Sequence, residues 1–256
     1  MSRFFVEPAA VEGANIFIEN QGDIKHLTRV LRSRVGDMVS ISDGQQWEYE
    51  ARIVEIASDK VILKIEDKQK FAREPKTQIT LFQGIPKGQK METVIQKCVE
   101  LGVNHIVPVF MERTIIQESE SLRKKLQRWQ KISDEAVKQC KRGMIPQIGD
   151  SIKFDGIISQ LSDYDLVICP YENENDISIK DCLRSYLKDK DDQESVAPDR
   201  VAVIIGPEGG FSEKEIDLLS AEDAPKVWKV TLGKTILRTE TAGPAAISMI
   251  MYELEL

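Results

Sequence analysis

The sequence predicts an α/β protein in two parts: a small β-rich domain over residues 1–72 and a larger domain over 73–256 built on a largely parallel sheet. Three observations carry this. Short apolar and β-branched runs with a hairpin signal fill the first seventy residues. From Thr77 onward strands and helices alternate, the pattern of a parallel sheet covered by helices. Residues 201–205 form an unbroken apolar run, as expected of a central strand buried on both faces.

In the first part, strands are expected near residues 4–6, 16–18, 38–41, 47–56 and 61–65, with Asp43-Gly44 as the hairpin turn between the third and fourth. One short helix interrupts them, placing Ile24, Leu27, Val30 and Leu31 on one face. His26, Arg29 and Arg32 lie beside that face, either as a solvated edge or as a phosphate-contacting one. Residues 71–75 read as a linker, with Pro75 ending extended structure.

In the second part, residues 78–82 and 105–110 read as strands around a helix over 88–101, whose apolar positions Met91, Val94, Ile95, Cys98 and Val99 share one face. Gly102 is its expected stop. A long helix over 121–142 sorts into two sides: Leu122, Leu126, Trp129, Ser133, Ala136, Val137 and Cys140 on one, and Lys124, Arg128, Lys131, Lys138 and Arg142 opposite. Five cations in a narrow arc repel one another unless an anion lies against them. The alternatives are a solvated face and a site for RNA or another polyanion. Residues 165–169 read as a strand ending at Pro170, 189–200 as an acidic loop, 227–232 as the last strand and 242–252 as the last helix.

Two loops attract chemical interest. Gly206-Pro-Glu-Gly-Gly210 follows the apolar strand and precedes a Ser212–Glu215 capping box. The stretch over 232–242 carries Arg238, Thr239, Glu240 and Thr241 into the final helix. The first is neither a Walker loop nor a dinucleotide fingerprint, and the chain contains no Gly-x-Ser-x-Gly elbow. A glycine turn alone can be purely structural, but open α/β sheets bind ligands beyond the carboxyl ends of their strands. Arg238 offers fixed donors for a carboxylate or phosphate, and Glu240 an acceptor or base, unless the two form a plain surface pair.

Composition sets the outer limits. Of 256 residues, 41% are hydrophobic and 30% charged, which is ordinary for a globular protein. No run approaches the roughly 18 apolar residues of a membrane span, and Glu7 and Glu12 interrupt any leader-like apolar segment. The four cysteines, spaced 42, 29 and 13 apart, fit neither a disulfide framework nor a zinc site, so reduced thiols, a cytoplasmic location and no metal are expected. The net charge is −7, yet residues 73–150 alone carry +5, a local footprint that suits a polyanion.

Taken together, these motifs carry a family resemblance. Gly206-Pro-Glu-Gly-Gly-Phe211 followed by Leu232-Gly-x-x-Ile-Leu-Arg-Thr-Glu-Thr-Ala242 closely resembles the RsmE family of ribosomal RNA methyltransferases, of the SPOUT class. The likeness extends to Lys90-Met-Glu-x-x-Ile-Gln-Lys97, Glu100-Leu-Gly-Val103, Gln139-Cys-x-Arg142 and His26-Leu-x-Arg-Val-Leu-Arg32, and so spans both parts. It implies a PUA-like RNA-binding barrel over 1–72 and a trefoil-knotted α/β domain over 73–256 that binds S-adenosylmethionine. It further implies a homodimer that methylates N3 of one uridine of 16S ribosomal RNA in the assembled 30S subunit.

The implied donor site draws on Pro170, on Ile205, Gly206, Pro207, Glu208, Gly209 and Gly210, and on Leu232, Gly233, Ile236, Leu237, Arg238, Thr241 and Ala242. Leu232, Ile236 and Leu237 would form its apolar floor. Arg238 is expected to stabilise the developing uracil charge or to hold the phosphate, with Glu208 or Glu240 as the base. The expected RNA contacts are Arg3, His26, Arg29, Arg32, Lys87 and Lys90, joined by the helix cations Lys124, Arg128, Lys131, Lys138 and Arg142.

Overall fold

The structure is a computed structural model that describes residues 3–71, 74–116, 120–188, 197–221 and 227–255. Most of the acidic loop expected over 189–200 lies outside the described residues. Two compact units are present. The first holds the chain up to Glu74 together with Val137–Ile145, and the second holds Pro75–Ala136 and the chain from Pro146.

The first unit is a six-stranded sheet in the order β1-β4-β5-β6-β3-β2, from β1 (Arg3–Phe5), β2 (Val11–Glu12), β3 (Asn15–Ile18), β4 (Met38–Ser42), β5 (Trp47–Ile56) and β6 (Val61–Lys70). All pairs are antiparallel except β1 with β4. The β4–β5 hairpin turns where Asp43-Gly44 predicts: Asp43 Oδ1 accepts from the N–H groups of Gln45, Gln46 and Trp47, and Gly44 takes φ +68°. Phe4, Ile16, Ile41, Ile53 and Leu63 alternate into one core.

The short helix α1 (Gln21–Lys25) continues as a π-helical turn over His26–Val30, in which Leu31 N–H donates to His26 O five residues back. That wider turn breaks the 3.6 phase. Ile24 and Leu27 are buried as expected, but Val30 and Leu31 rotate out to 66% and 40% exposure. The single apolar face read from the sequence therefore ends at Leu27.

Segment 137–145 joins this unit through polar anchors. Ser42 Oγ donates to Gly143 O, and Arg3 Nη1 donates to Lys141 O at 2.9 Å. Glu74 Oε1 accepts from the N–H groups of Gly143 and Met144 at 2.7 and 3.0 Å, while Glu74 Oε2 pairs with Arg142 at 2.8 Å. A reading of continuous domains places this segment elsewhere, because partners so far apart in the chain leave no periodic signal.

The second unit contains a parallel sheet in the order β10-β8-β7-β12-β11-β13, with β9 also paired to β8. Its strands are β7 (Gln78–Gly84), β8 (His105–Phe110), β9 (Gln147–Ile148), β10 (Ile152–Lys153), β11 (Leu166–Pro170), β12 (Arg200–Ile205) and β13 (Val227–Val230). Every pairing is parallel. The helices are α2 (Lys90–Glu100), α3 (Glu120–Cys140), α4 (Asp155–Ile158), α5 (Ile179–Lys188), α6 (Glu213–Leu219) and α7 (Thr239–Glu255). The central strands are almost wholly buried, as continuous apolar runs between helices must be. Gly102, at φ +105°, stops α2 where the pattern predicts.

After the edge strand β13, the chain returns through residues 231–238 to start α7, which packs on α2, α5, β7 and β12. That return places the start of α7 next to the carboxyl end of β12. No described helix is long and apolar enough to cross a membrane.

Candidate active site

Two loops of the second unit, residues 85–90 and 206–210, meet the start of α7 at the carboxyl ends of β7 and β12. The turn after β12 begins with Gly206 and Pro207 buried, and Gly210 N–H donates back to Pro207 O at 3.0 Å. Gly210 adopts φ +67°, and a Cβ there would stand 2.6 Å from Glu172 Oε1. The positive φ favours glycine at this position, whereas the exposed Glu172 side chain could swing aside. The capping box follows as expected, with Ser212 Oγ accepting from Glu215 N–H and Glu215 Oε2 accepting from Ser212 N–H. Glu215 Oε1 also accepts from Glu112 N–H, tying the start of α6 to the loop after β8.

The turn is clamped from several sides. Glu208 accepts from Lys90 Nζ at 2.9 Å and from Lys87 N–H at 3.0 Å. Lys90 also stands 3.5 Å from Glu240 Oε2, close enough for opposite charges to attract but without a hydrogen bond, so that buried oxygen has no hydrogen-bond partner. Arg113 Nη1 donates to Gly209 O at 2.7 Å. Beneath these, Thr239 Oγ1 donates to Gly206 O at 2.7 Å and accepts from Gln83 Nε2 at 2.9 Å.

The charges follow from these contacts. Burial pushes the Glu208 carboxyl up, but hydrogen bonds from Lys90, from its own N–H and from Lys87 N–H outweigh that and leave it below the ordinary value. Lys90 is raised, chiefly by the same bond to Glu208. Glu208 is thus an engaged, ionised clamp and a weak base. Both bonds from Lys87 and Lys90 fall on Glu208 Oε1, whereas Glu240 Oε2 is buried beside Lys90 without a hydrogen bond.

The structure distributes the remaining expected residues unevenly. Pro170 ends β11, and Ile205, buried, ends β12. Leu232, Leu237 and Ala242 are half-buried, while Gly233, Arg238 and Thr241 are exposed. Ile236 is 84% exposed, unlike the half-buried Leu232 and Leu237 with which it was expected to form an apolar floor. The backbone of 234–238 is irregular and nothing holds Ile236 inward. Arg238 caps α7, its carbonyl accepting from the N–H groups of Thr241 and Ala242. A groove of about 460 Å³ between α5, the end of β13 and α7 takes in Leu232 and Gly233 but none of residues 206–210.

Two expected RNA contacts are corrected. Arg3 is buried and doubly bonded to Glu48 at 2.7 and 3.0 Å, and Arg142 is 6% exposed against Glu74. A basic residue placed opposite an apolar face looks solvent-facing by periodicity, but Arg142 lies beyond the end of α3, after Lys141 at φ +60°, where helical phase no longer applies. His26, Arg29 and Arg32 are exposed in the first unit, as are Lys87, Lys124, Arg128 and Lys131 in the second. Arg128 pairs with Glu92 at 2.9 Å, and exposed Lys138 with Asp23 at 3.5 Å.

Sequence reasoning missed Gln83, Thr239 as a link, and Arg113. The one legible sign was an amide inside the otherwise apolar stretch 81–85.

Residues 73–251 match the RNA methyltransferase domain family and residues 18–66 the RNA methyltransferase PUA domain. The chain is 32% identical to ribosomal RNA small subunit methyltransferase E of Mesomycoplasma hyopneumoniae, over 94% of its own length and 95% of that protein's. It is 29% identical to the Bacillus subtilis protein of the same name, over 100% and 98%. Among solved structures, ribosomal RNA small subunit methyltransferase E of Neisseria gonorrhoeae bound to S-adenosyl methionine superposes with a TM-score of 0.82, at 28% identity, covering 99% of this chain and 98% of that one.

Proposed function

Because the chain belongs to the ribosomal RNA small subunit methyltransferase E family, we propose that it transfers a methyl group from S-adenosylmethionine to N3 of one uridine of 16S ribosomal RNA, in the assembled 30S subunit. The observation that carries this reading is the joining of turn 206–210 to the start of α7 through Thr239, beside the cluster of Lys90, Glu208 and Glu240. Such a place suits the donor's chemistry. A glycine turn allows close backbone approach, carboxylates complement a sulfonium or an ammonium, and Arg238 can meet a carboxylate.

When bound, S-adenosylmethionine supplies an electrophilic methyl group, which needs an aligned nitrogen nucleophile and no metal. The residues around the turn would hold the donor, with Pro170, Ile205, Leu232, Gly233 and Leu237 beside the glycines. Uracil N3 carries a proton at neutral pH that must leave as the N–C bond forms. Glu208 is poorly suited to take it, since the bonds from Lys90 and from Lys87 N–H to its Oε1 help hold its carboxyl below the ordinary value. Glu240 is the other candidate acceptor. Arg238, exposed at the end of the loop, would stabilise the charge developing on the uracil carbonyls, helped by the N-terminus of α7. Positioning would supply much of the rate.

The first unit serves as the PUA-like RNA-binding domain in this proposal, with His26, Arg29 and Arg32 as phosphate contacts. Lys138 would add to that footprint, and Lys87, Lys124, Arg128 and Lys131 would be phosphate contacts of the second unit. The proposal includes a trefoil knot, supported by the return of the chain from β13 to α7, and a cytoplasmic location. It also includes a homodimer, supported by Met249 and Tyr252 on α7, 39% and 67% exposed at the 460 Å³ groove.

The test incubates the protein with labelled S-adenosylmethionine and unmethylated 30S subunits, followed by nucleoside mapping. Label at N3 of a single uridine is expected; label at another base position refutes the substrate assignment. Arg238→Ala should abolish transfer while 30S binding persists, which separates an enzyme from a non-catalytic assembly factor.

A further inference from the structure

Gln83 is wholly buried at the end of β7, its Oε1 beside Gly243 of α7 with Leu81 and Cys98 close by. It touches no surface from which a ligand could be reached. Its amide nevertheless spends both protons in defined directions: Nε2 donates to Thr239 Oγ1 at 2.9 Å and to Gly84 O at 3.0 Å. A threonine hydroxyl has a single proton. Since Thr239 Oγ1 accepts from the amide, that proton is free to go to Gly206 O at 2.7 Å. The relay therefore runs one way, from amide to hydroxyl to carbonyl.

The reverse orientation is disfavoured. A flipped amide would set Gln83 Oε1 against Gly84 O, two acceptors facing one another. In the observed orientation Oε1 is buried without a hydrogen-bond partner. Such a group normally lowers stability, so the amide's orientation follows from its donors and not from satisfying its own oxygen. The same peptide is held sterically as well. A Cβ on Gly84 would lie 2.6 Å from Pro207 N, so the end of β7 presses directly on the Gly206–Pro207 peptide. Pro207 has no N–H to give. The Gly206 carbonyl is thus the buried anchor of the turn, while the other hold on its main chain, Arg113 to Gly209, is exposed.

We propose that Gln83 is a positioning residue for the donor-binding turn: through Thr239 it fixes the Gly206 carbonyl inward and so sets the outward face of residues 208–210. This rests on the reading of that turn as the S-adenosylmethionine site. Gln83 touches neither donor nor RNA, and its effect passes entirely through Thr239.

The experiment titrates S-adenosylmethionine into the full-length wild-type protein, Gln83→Leu, Thr239→Val, Thr239→Ser and the Gln83→Leu/Thr239→Val double variant by calorimetry. Tm and the KM for 30S subunits are measured alongside. Gln83→Leu and Thr239→Val should each raise the donor Kd about 10-fold. Thr239→Ser keeps the hydroxyl and should stay within about 2-fold of wild type. The double variant should be no weaker than the worse single one, because two links of one chain fail together. The KM for 30S subunits should not move.

A Gln83→Leu Kd equal to that of wild type overturns the proposal, as do losses that add in the double variant. A Thr239→Ser loss as large as that of Thr239→Val overturns it too, since the hydroxyl would then be irrelevant. If Gln83→Leu does not fold, the two Thr239 variants decide the matter alone. Wild-type protein that binds no donor refutes the proposed activity itself, and the relay's role with it, before any variant is compared.

Discussion

Arg142→Met should cost the first unit stability and leave RNA affinity unchanged in whatever protein remains folded. The side chains of Arg142 and Glu74 are 6% and 9% exposed. The guanidinium donates to Glu74 Oε2 from Nη2 at 2.8 Å and from Nε at 3.2 Å, while Glu74 Oε1 accepts from two backbone N–H groups. Removing the cation strands a buried carboxylate without a countercharge. Breaking such a pair typically costs about 3–5 kcal/mol. The two surviving backbone bonds place this case near the lower end, at roughly 3 kcal/mol. For a chain of this size that lowers the first unfolding transition on the order of 10 °C. Scanning calorimetry reads the transition, and a salt series of RNA titrations reads the affinity. Replacing both partners, as Glu74→Gln with Arg142→Met, should recover much of the loss, because no buried charge remains. A transition within about 2 °C of wild type together with weakened RNA binding and a flatter salt slope would refute the reasoning. Arg142 would then be the RNA-binding residue that helical periodicity suggests.

Other expectations follow from the same geometry. Charge reversal at Lys124, Arg128 and Lys131 should weaken RNA binding and flatten its salt dependence, by about 0.7 in slope for each phosphate no longer neutralised. Arg128 should contribute least, being paired with Glu92, and an unchanged slope identifies a merely solvated face. The Glu208 carboxyl lies below its ordinary 4.5, so the stability it confers is complete above that value and disappears as pH falls through the lower folded one. The Tm gap between wild type and Glu208→Gln should accordingly be full at neutral pH and close under acid conditions, and a gap independent of pH defeats the clamp. Tyr252→Glu should shift the protein from dimer to monomer in light scattering, and an unchanged mass removes α7 from the interface.

Much of the architecture was legible in the chain because it depends on local chemistry. The Asp43-Gly44 hairpin, the Gly102 stop and the Ser212–Glu215 capping box each rest on groups within a few residues of one another. Apolar periodicity placed the buried face of α2 correctly, since every position of a regular helix keeps its phase. Where regularity failed, so did the reading. The π-helical turn exposed Val30 and Leu31, and the end of α3 turned Arg142 inward. The order and spacing of the glycine turn, the Arg238 loop and the basic stretches pointed to the family, because those segments carry the chemistry directly.

Pairings between distant segments were another matter. Nothing within residues 81–85 indicates that the Gln83 amide meets a hydroxyl 156 positions later. Nor does the local sequence around Arg3 or Glu74 name Glu48 or Arg142 as partners. Periodicity reports which face a side chain occupies, whereas pairing depends on how whole elements pack. Burial then converts a charge that looks free in sequence into an ion pair, since an unpaired one would be too costly to keep. Glu208 and Glu240 differ for the same reason. As residue types they are interchangeable candidates for a base, and only the packed neighbourhood separates them: Lys87 N–H and Lys90 both bond Glu208 Oε1, whereas Glu240 Oε2 is buried 3.5 Å from Lys90 without a hydrogen bond.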